Sequence, residues 1–193
     1  AEGIVDEYVY DIAIDSNNDI YIVGNSSDKL DADSDIPADG TNQQNKHAFL
    51  AKYRSVSSTT SYPSLDAEYT EGWEFDNTSG QLIWINQIYY EDGEGNNKQT
   101  TGKSITIDDD DNIYIAGEIT EFMPSGPPGG FDFHGPPPGH DDSPPESNIY
   151  LAKYNTTVRN QEWLYSFGSG DGVDTVKSIA NDGEYIYITG DTT

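Results

Sequence analysis

The sequence predicts an all-β protein built from repeated, antiparallel, four-stranded units. Three observations predict it. One phrase occurs three times: IAIDSNNDIYIVG at 12–24, ITIDDDDNIYIAG at 105–117 and IANDGEYIYITG at 179–190. The first two copies are followed, in the same order, by AFLAKY or IYLAKY and then by a tryptophan phrase at Trp84 or Trp163. Apolar residues alternate with period two between Asp/Asn/Gly turns, and no window carries a 3.6-residue apolar stripe, so almost no helix is expected.

Each element follows from local chemistry. Ile12 and Ile14 flank Ala13 and form strand one. The run DSNND then makes a polar turn, because Asn and Asp tolerate left-handed backbone and bond their own backbone. Ile20 to Val23 form strand two, which Gly24 closes. Gly117 and Gly190 do the same in the other copies, where a positive φ or a bend is expected of glycine. The AKY phrases supply strand three and the tryptophan phrases strand four. Tyr21, Tyr114 and Tyr187 recur at one position, as do Trp84 and Trp163, and are read as packing residues. Four short strands recurring in one order is how a propeller blade reads in sequence. The expected division is a first unit over 1–100 with long loops, a second over 101–170 with a Pro/Gly-rich insertion at 121–147, and the first half of a third over 171–193. Two and a half blades cannot close a ring, since propellers take about four to eight.

These residues resemble the bacterial β-propeller repeat family called SBBP. Its pattern runs as an I-A-x-D strand, a D-x-x-G-N-x-Y-x-x-G hairpin, an A-F-x-A-K-Y strand and a tryptophan strand. The match is Ile12–Gly24, Ala48–Tyr53 and Trp84, then Ile105–Gly117, Ile149–Tyr154 and Trp163, then Ile179–Gly190. It departs from the pattern at Asp19 and Asp111, where the usual turn glycine is replaced. The resemblance implies a scaffold and carries no catalytic residues with it.

Composition limits the partners. The chain holds 35 acidic and 9 basic residues, a formal net charge of −26. Such a surface repels phosphate backbones and anionic headgroups, so nucleic acid is not an expected partner. No stretch approaches the ~18–20 apolar residues of a membrane span, and no membrane insertion is expected. With no cysteine, thiolate metal sites, cysteine nucleophiles and disulfides are out. The chain begins at Ala1, which fits a processed or excerpted sequence. A secreted or cell-surface location is expected.

Calcium is the first candidate cofactor. Asp15, Asn17 and Asp19, and likewise Asp108, Asp110 and Asn112, place oxygens at alternate turn positions, as a calcium loop does at its start. Ile20 and Ile113 stand where an EF-hand has glycine, and no glutamate follows at the twelfth position. The plainer reading is turn chemistry. His134 and His140 flank a proline run beside Asp132, Asp141 and Asp142, a weak zinc pattern. His47 precedes a strand and is read as a surface residue. Asn25, Asn77 and Asn155 open Asn-x-Ser/Thr sequons, each expected in a turn or loop. Residues 121–147 hold eight of the ten prolines and present Phe131 and Phe133; with Trp73 in the 54–79 loop, these are the candidate binding aromatics. Catalysis has no support, because no nucleophile elbow, P-loop or H-E-x-x-H occurs.

The expected function is a non-catalytic structural or adhesive repeat module. It would associate with copies of itself or with further repeats, forming a fibre stabilised by cations. The competing class is a fragment of a ligand- or glycan-binding propeller or propeller enzyme, its site in loops or in other blades.

Overall fold

The computed structural model describes residues 7–27, 30, 46–55, 82–88, 90–91, 97–120, 147–155, 161–168 and 172–193. All of their regular structure is β. The first sheet holds β1 (Glu7–Ile14), β2 (Ile20–Ser26), β3 (His47–Tyr53) and β4 (Leu82–Ile88), hydrogen-bonded in that order. A two-stranded ladder follows, β5 (Tyr90–Glu91) with β6 (Asn97–Lys98). The second sheet repeats the first with β7 (Thr100–Ile107), β8 (Asn112–Ile119), β9 (Asn148–Asn155) and β10 (Gln161–Phe167). A third begins with β11 (Thr175–Asn181) and β12 (Ile186–Asp191). All pairings are antiparallel. Among the described residues the sheets stack as successive blades and do not close a ring.

Strand alternation sends the two faces of each sheet into different cores. Tyr21, Val23, Leu50 and Trp84 of the first sheet meet Ile105, Ile113, Ile115 and Tyr150 of the second in one cluster. From the opposite face of the second sheet, Ala116 packs with Val176 and Ile179 of the third, with Tyr114 and Leu151 alongside. The second sheet is therefore covered on both sides. Position decides burial even where sequence is constant. Ile12, Ile105 and Ile179 are equivalent, yet Ile12 is 58 % exposed while Ile105 and Ile179 are 5 % and 6 % exposed. Removing an isoleucine side chain from water contributes about 1.5–3 kcal/mol, so each joint draws on the sheet before it.

The first strand of every unit carries the same β-bulge. Register shifts occur between Val9 and Asp11, Gly102 and Ser104, and Val176 and Ser178, leaving Tyr10, Lys103 and Lys177 as the extra residues. The bulge explains the repeated glycine, and it corrects the expectation drawn from sequence. Gly24, Gly117 and Gly190 lie inside their strands, directly opposite the residue before the bulge. A Cβ on them would overlap the carbonyl oxygen of Tyr8, Thr101 or Thr175 respectively. Close backbone approach, not positive φ, is the requirement.

Positive φ falls instead on Asn18 (63°), Asp111 (61°) and Gly183 (88°), all in the hairpin turns. The residue standing for the turn glycine in the first unit is thus Asn18, not Asp19. Its N–H donates to the Asp15 carbonyl at 3.0 Å, and Asp111 does the same to Asp108 at 3.0 Å. Asn and Asp accept this backbone region more readily than other residues with a side chain.

Gly117→Ala should destabilise the chain by about 1–3 kcal/mol or more, as overpacking does, because the new methyl meets both the Thr101 carbonyl and the Tyr150 ring. The urea midpoint measures this; an unchanged midpoint would show that the bulge relaxes freely.

Candidate functional site

Among the described residues, two constellations of hydrogen-bonded polar side chains repeat. The first is the turn aspartate. Asp15 Oδ1 accepts the N–H groups of Asn17 and Asp19, each at 2.9 Å, while Oδ2 accepts the Tyr21 hydroxyl at 3.1 Å. Asp108 accepts from the Asp110 and Asn112 backbones at 3.0 and 2.8 Å and from the Tyr114 hydroxyl at 3.0 Å. Asp182 accepts from Glu184 and Tyr185 at 3.0 and 2.8 Å and from the Tyr187 hydroxyl at 2.7 Å. One carboxylate therefore closes the turn with one oxygen and anchors the tyrosine of strand two with the other.

Protonation follows this bonding. Burial opposes ionisation of Asp108, but hydrogen bonds from Asn112, Tyr114 and the Asp110 backbone outweigh it and hold the carboxyl below its usual range. At Asp182 the Tyr185 backbone, the Tyr187 hydroxyl and the Glu184 backbone do the same. Their partners move the other way. Burial, then the hydrogen bond to Asp108 and nearby negative charge, push Tyr114 up to about 12. The bond to Asp182 raises Tyr187.

The second constellation is the AKY lysine. Lys52 Nζ lies 3.2 Å from both Asp15 Oδ2 and Asp19 Oδ2, with all three side chains at most 3 % exposed. It also sits 4.9 Å from the Tyr21 ring centroid. In the second unit Asn112 replaces Asp19, and Lys153 pairs instead with Glu162 Oε2 at 3.0 Å. Glu162 is the extra residue of a bulge in β10; the corresponding extra residue of β4 is Ile83. The carboxylates paired with the lysine stand in the turn in the first unit, and on the outer strand in the second.

The candidate residues sort against this geometry. Asp15 and Asp19 are buried around Lys52, and Asn17 is half-buried with its backbone on Asp15. Asp108 and Asn112 bond each other, while Asp110 is exposed. Among the described residues no group of three or more His, Cys, Asp and Glu side chains is arranged as a metal site. The sequons differ from expectation. Asn25 lies within β2 and is fully buried, so a glycan has no room there in the folded sheet. Asn155 ends β9, half-buried, rather than sitting in a loop. His47, read as a surface residue, opens β3 at 5 % exposure, and burial lowers its pKa. Trp73, Asn77, Phe131, Phe133, His134 and His140 lie outside the described residues. The tyrosine–tryptophan pairing holds in two units: Tyr21 meets Trp84 edge-on at 6.0 Å and Tyr114 meets Trp163 at 6.2 Å. Tyr187 stays 50 % exposed.

Sequence reasoning missed the residues that join the units. The Ser104 hydroxyl and the Ile105 N–H both donate to Asp11 Oδ2, at 2.6 and 3.0 Å. The Ile179 N–H donates in turn to Ser104 Oγ at 3.3 Å. Asp11, Ser104 and Ser178 occupy one repeat position, directly after the bulge. A second joint links backbones: Thr100 N–H donates to the Lys46 carbonyl at 2.9 Å, and the equivalent Asp174 to Ser147 at 2.7 Å. The polar residue preceding each repeated isoleucine was the signal available.

Residues 83–121 match the family model of the SBBP beta-propeller repeat. That span runs from β4 through both strands of the second hairpin. No curated protein matches the chain.

Two outcomes follow from this bonding. Lys52→Met leaves two buried carboxylates without their cation and should cost about 3–5 kcal/mol; Asp19→Asn, which leaves Asp15 to pair with Lys52, should cost clearly less. Urea titration of both variants decides it, and equal losses would contradict the compensation. Stability should also fall as pH rises from the ordinary tyrosine value of 10.0 towards about 12, the Tyr114 value. Tyr114 is protonated when folded and ionises more readily when unfolded, so its contribution is whole below that window and lost through it. Phenolate absorbance of wild type and Tyr114→Phe, read alongside circular dichroism, measures the effect.

Proposed function

We propose that this chain is a non-catalytic structural repeat module of an extracellular or cell-surface assembly, with an adhesive or filament-forming role. One observation carries the reading: the polar side chains that recur from unit to unit are consumed by turns and joints. The turn aspartates close hairpins and anchor tyrosines, the AKY lysines neutralise buried or neighbouring carboxylates, and Asp11 and Ser104 tie one blade to the next. A catalytic site needs a group whose bonding is left for a substrate. Here the repeated groups are occupied by the fold itself.

The net charge of −26 fits the same reading. Like charge at that density keeps single chains apart at low ionic strength. Association then requires counterions, and divalent cations such as calcium serve this by screening exposed turn carboxylates, among them Asp109 and Asp110. Buried Asp15 and Asp19 have Lys52 for that purpose.

Light scattering after size exclusion, in calcium and then in EDTA, tests the proposal. Folded, associated chains that dissociate in EDTA are the expected result. A folded chain that binds glycans or turns over a substrate in screening would overturn it in favour of the ligand-binding class.

A further inference from the structure

We infer that the joint between the second and third units holds a hard cation, calcium by preference, on the side-chain oxygens of Asn148 and Asp174. The inference rests on the structural-module reading and names a cation site inside the array, apart from the exposed turn carboxylates.

Two buried oxygens define the place. Asn148 opens β9 and Asp174 stands just before β11, at 4 % and 2 % exposure. The Asp174 N–H donates to the Ser147 carbonyl at 2.7 Å, which draws the two residues together. A Cβ on Gly168 would overlap both Asn148 Oδ1 and Asp174 Oδ2. The two oxygens therefore adjoin one point, and the glycine puts no side chain there. Gly168 is half-buried, so the cradle borders solvent. Asn148 Oδ1 is shut away from water, yet it has no hydrogen-bond partner. A buried acceptor in that state calls for a bound water or ion.

The first joint shows what differs. Thr100 and His47 hold the equivalent positions there. The Thr100 hydroxyl accepts the Ala48 N–H at 2.9 Å and donates to the Ile88 carbonyl. Ile88 pairs with Ala48 as Phe167 pairs with Ile149. A carboxylate at position 174 can repeat the accepting half of that role and not the donating half. The second joint thus gathers acceptors where the first has a hydroxyl that serves both sides. His47 Nδ1 also has no partner, but the neutral hydroxyl beside it brings no charge to hold an ion.

The donor set favours calcium. It accepts amide and carboxylate oxygens at about 2.3–2.6 Å in irregular geometry and completes its shell with water, whereas magnesium demands a near-octahedral set. A single carboxylate makes a weak site, in the range of about 10⁻⁴–10⁻³ M that extracellular modules show. The turn aspartates offer less, because Asp15, Asp108 and Asp182 already accept backbone N–H and tyrosine hydroxyl donors.

Urea unfolding of the whole chain in calcium chloride, against sodium chloride at matched ionic strength, tests the site. With calcium tenfold above half-saturation, the unfolding equilibrium constant should fall about tenfold. Asp174→Thr, which restores the residue of the first joint, should fold and lose that gain. A second arm needs no variant. In wild type, calcium should shift the Asn148 side-chain amide and the Gly168 amide resonances saturably and leave those of Ala48 and Thr100 in place. A gain shared equally by wild type and Asp174→Thr overturns the inference, because calcium then acts on exposed carboxylates alone. Resonance shifts confined to turn residues such as Asp109 and Asp110 overturn it too. So does a chain that calcium leaves unchanged, in which a water meets these oxygens. None of these results touches the structural-module reading, which fails on glycan binding or turnover.

Discussion

The bulge in the first strand of each unit is the constraint on which the rest depends. An extra residue at Tyr10, Lys103 or Lys177 breaks the ladder and twists the strand. Two needs arise at once. The carbonyl two residues before the extra residue crowds the second strand, so only glycine fits opposite. The ladder interruption also re-aims the residue after the bulge towards the next unit. Asp11 and Ser104 use that direction to accept an N–H from the following blade. A local irregularity thus serves as the connector between sheets, and a flat ladder at the same place would leave those donors unmet.

How far the sequence foretold this structure depends on which physical term set each feature. Turn and strand chemistry are local, so the hairpins, the antiparallel order and the four-strand unit were legible from alternation, Asp/Asn turns and recurring phrases. The tyrosine–tryptophan packing was legible because it repeats. The role of Gly24 was not, since a glycine needed for close approach and one needed for positive φ look identical in a string of letters. Asn25 and His47 were misread for a related reason. Each is a polar residue near a strand end, and burial there is decided by the neighbouring sheet, which no local pattern reports. The joint residues were hidden because an aspartate in the first unit and a serine in the second do the same work, and only the neighbouring blade shows it.

The calcium-like turns illustrate how one composition serves two chemistries. Oxygens at alternate positions suit a hard cation, and they equally suit the N–H groups of a tight turn. The fold supplies the second set of partners. Asp108 and Asp182 are held as anions by backbone and hydroxyl donors, and Asp15 gains an ammonium besides. Repetition is the useful guide here, because the tyrosine at the sixth position after the aspartate, or the fifth in the shorter third turn, accompanies it in all three copies. A turn anchored to its own strand uses that tyrosine in every copy.

The units also show which constraints are shared and which are free. The AKY lysine is answered by the turn carboxylates Asp15 and Asp19 in one unit and by Glu162 of the outer strand in the next, where Asn112 stands in place of Asp19 and Ile83 is the counterpart of Glu162. In these two units the ammonium is paired within its own unit, by whichever carboxylate reaches it. The joints allow no such freedom in geometry. A bulge, a glycine opposite it, an oxygen after it and an apolar residue beyond recur in all three copies, although the oxygen is a carboxylate once and a hydroxyl twice. An array that must stack one blade on another can vary its blades only where the neighbour does not touch. The joints are more regular than the blades that they connect.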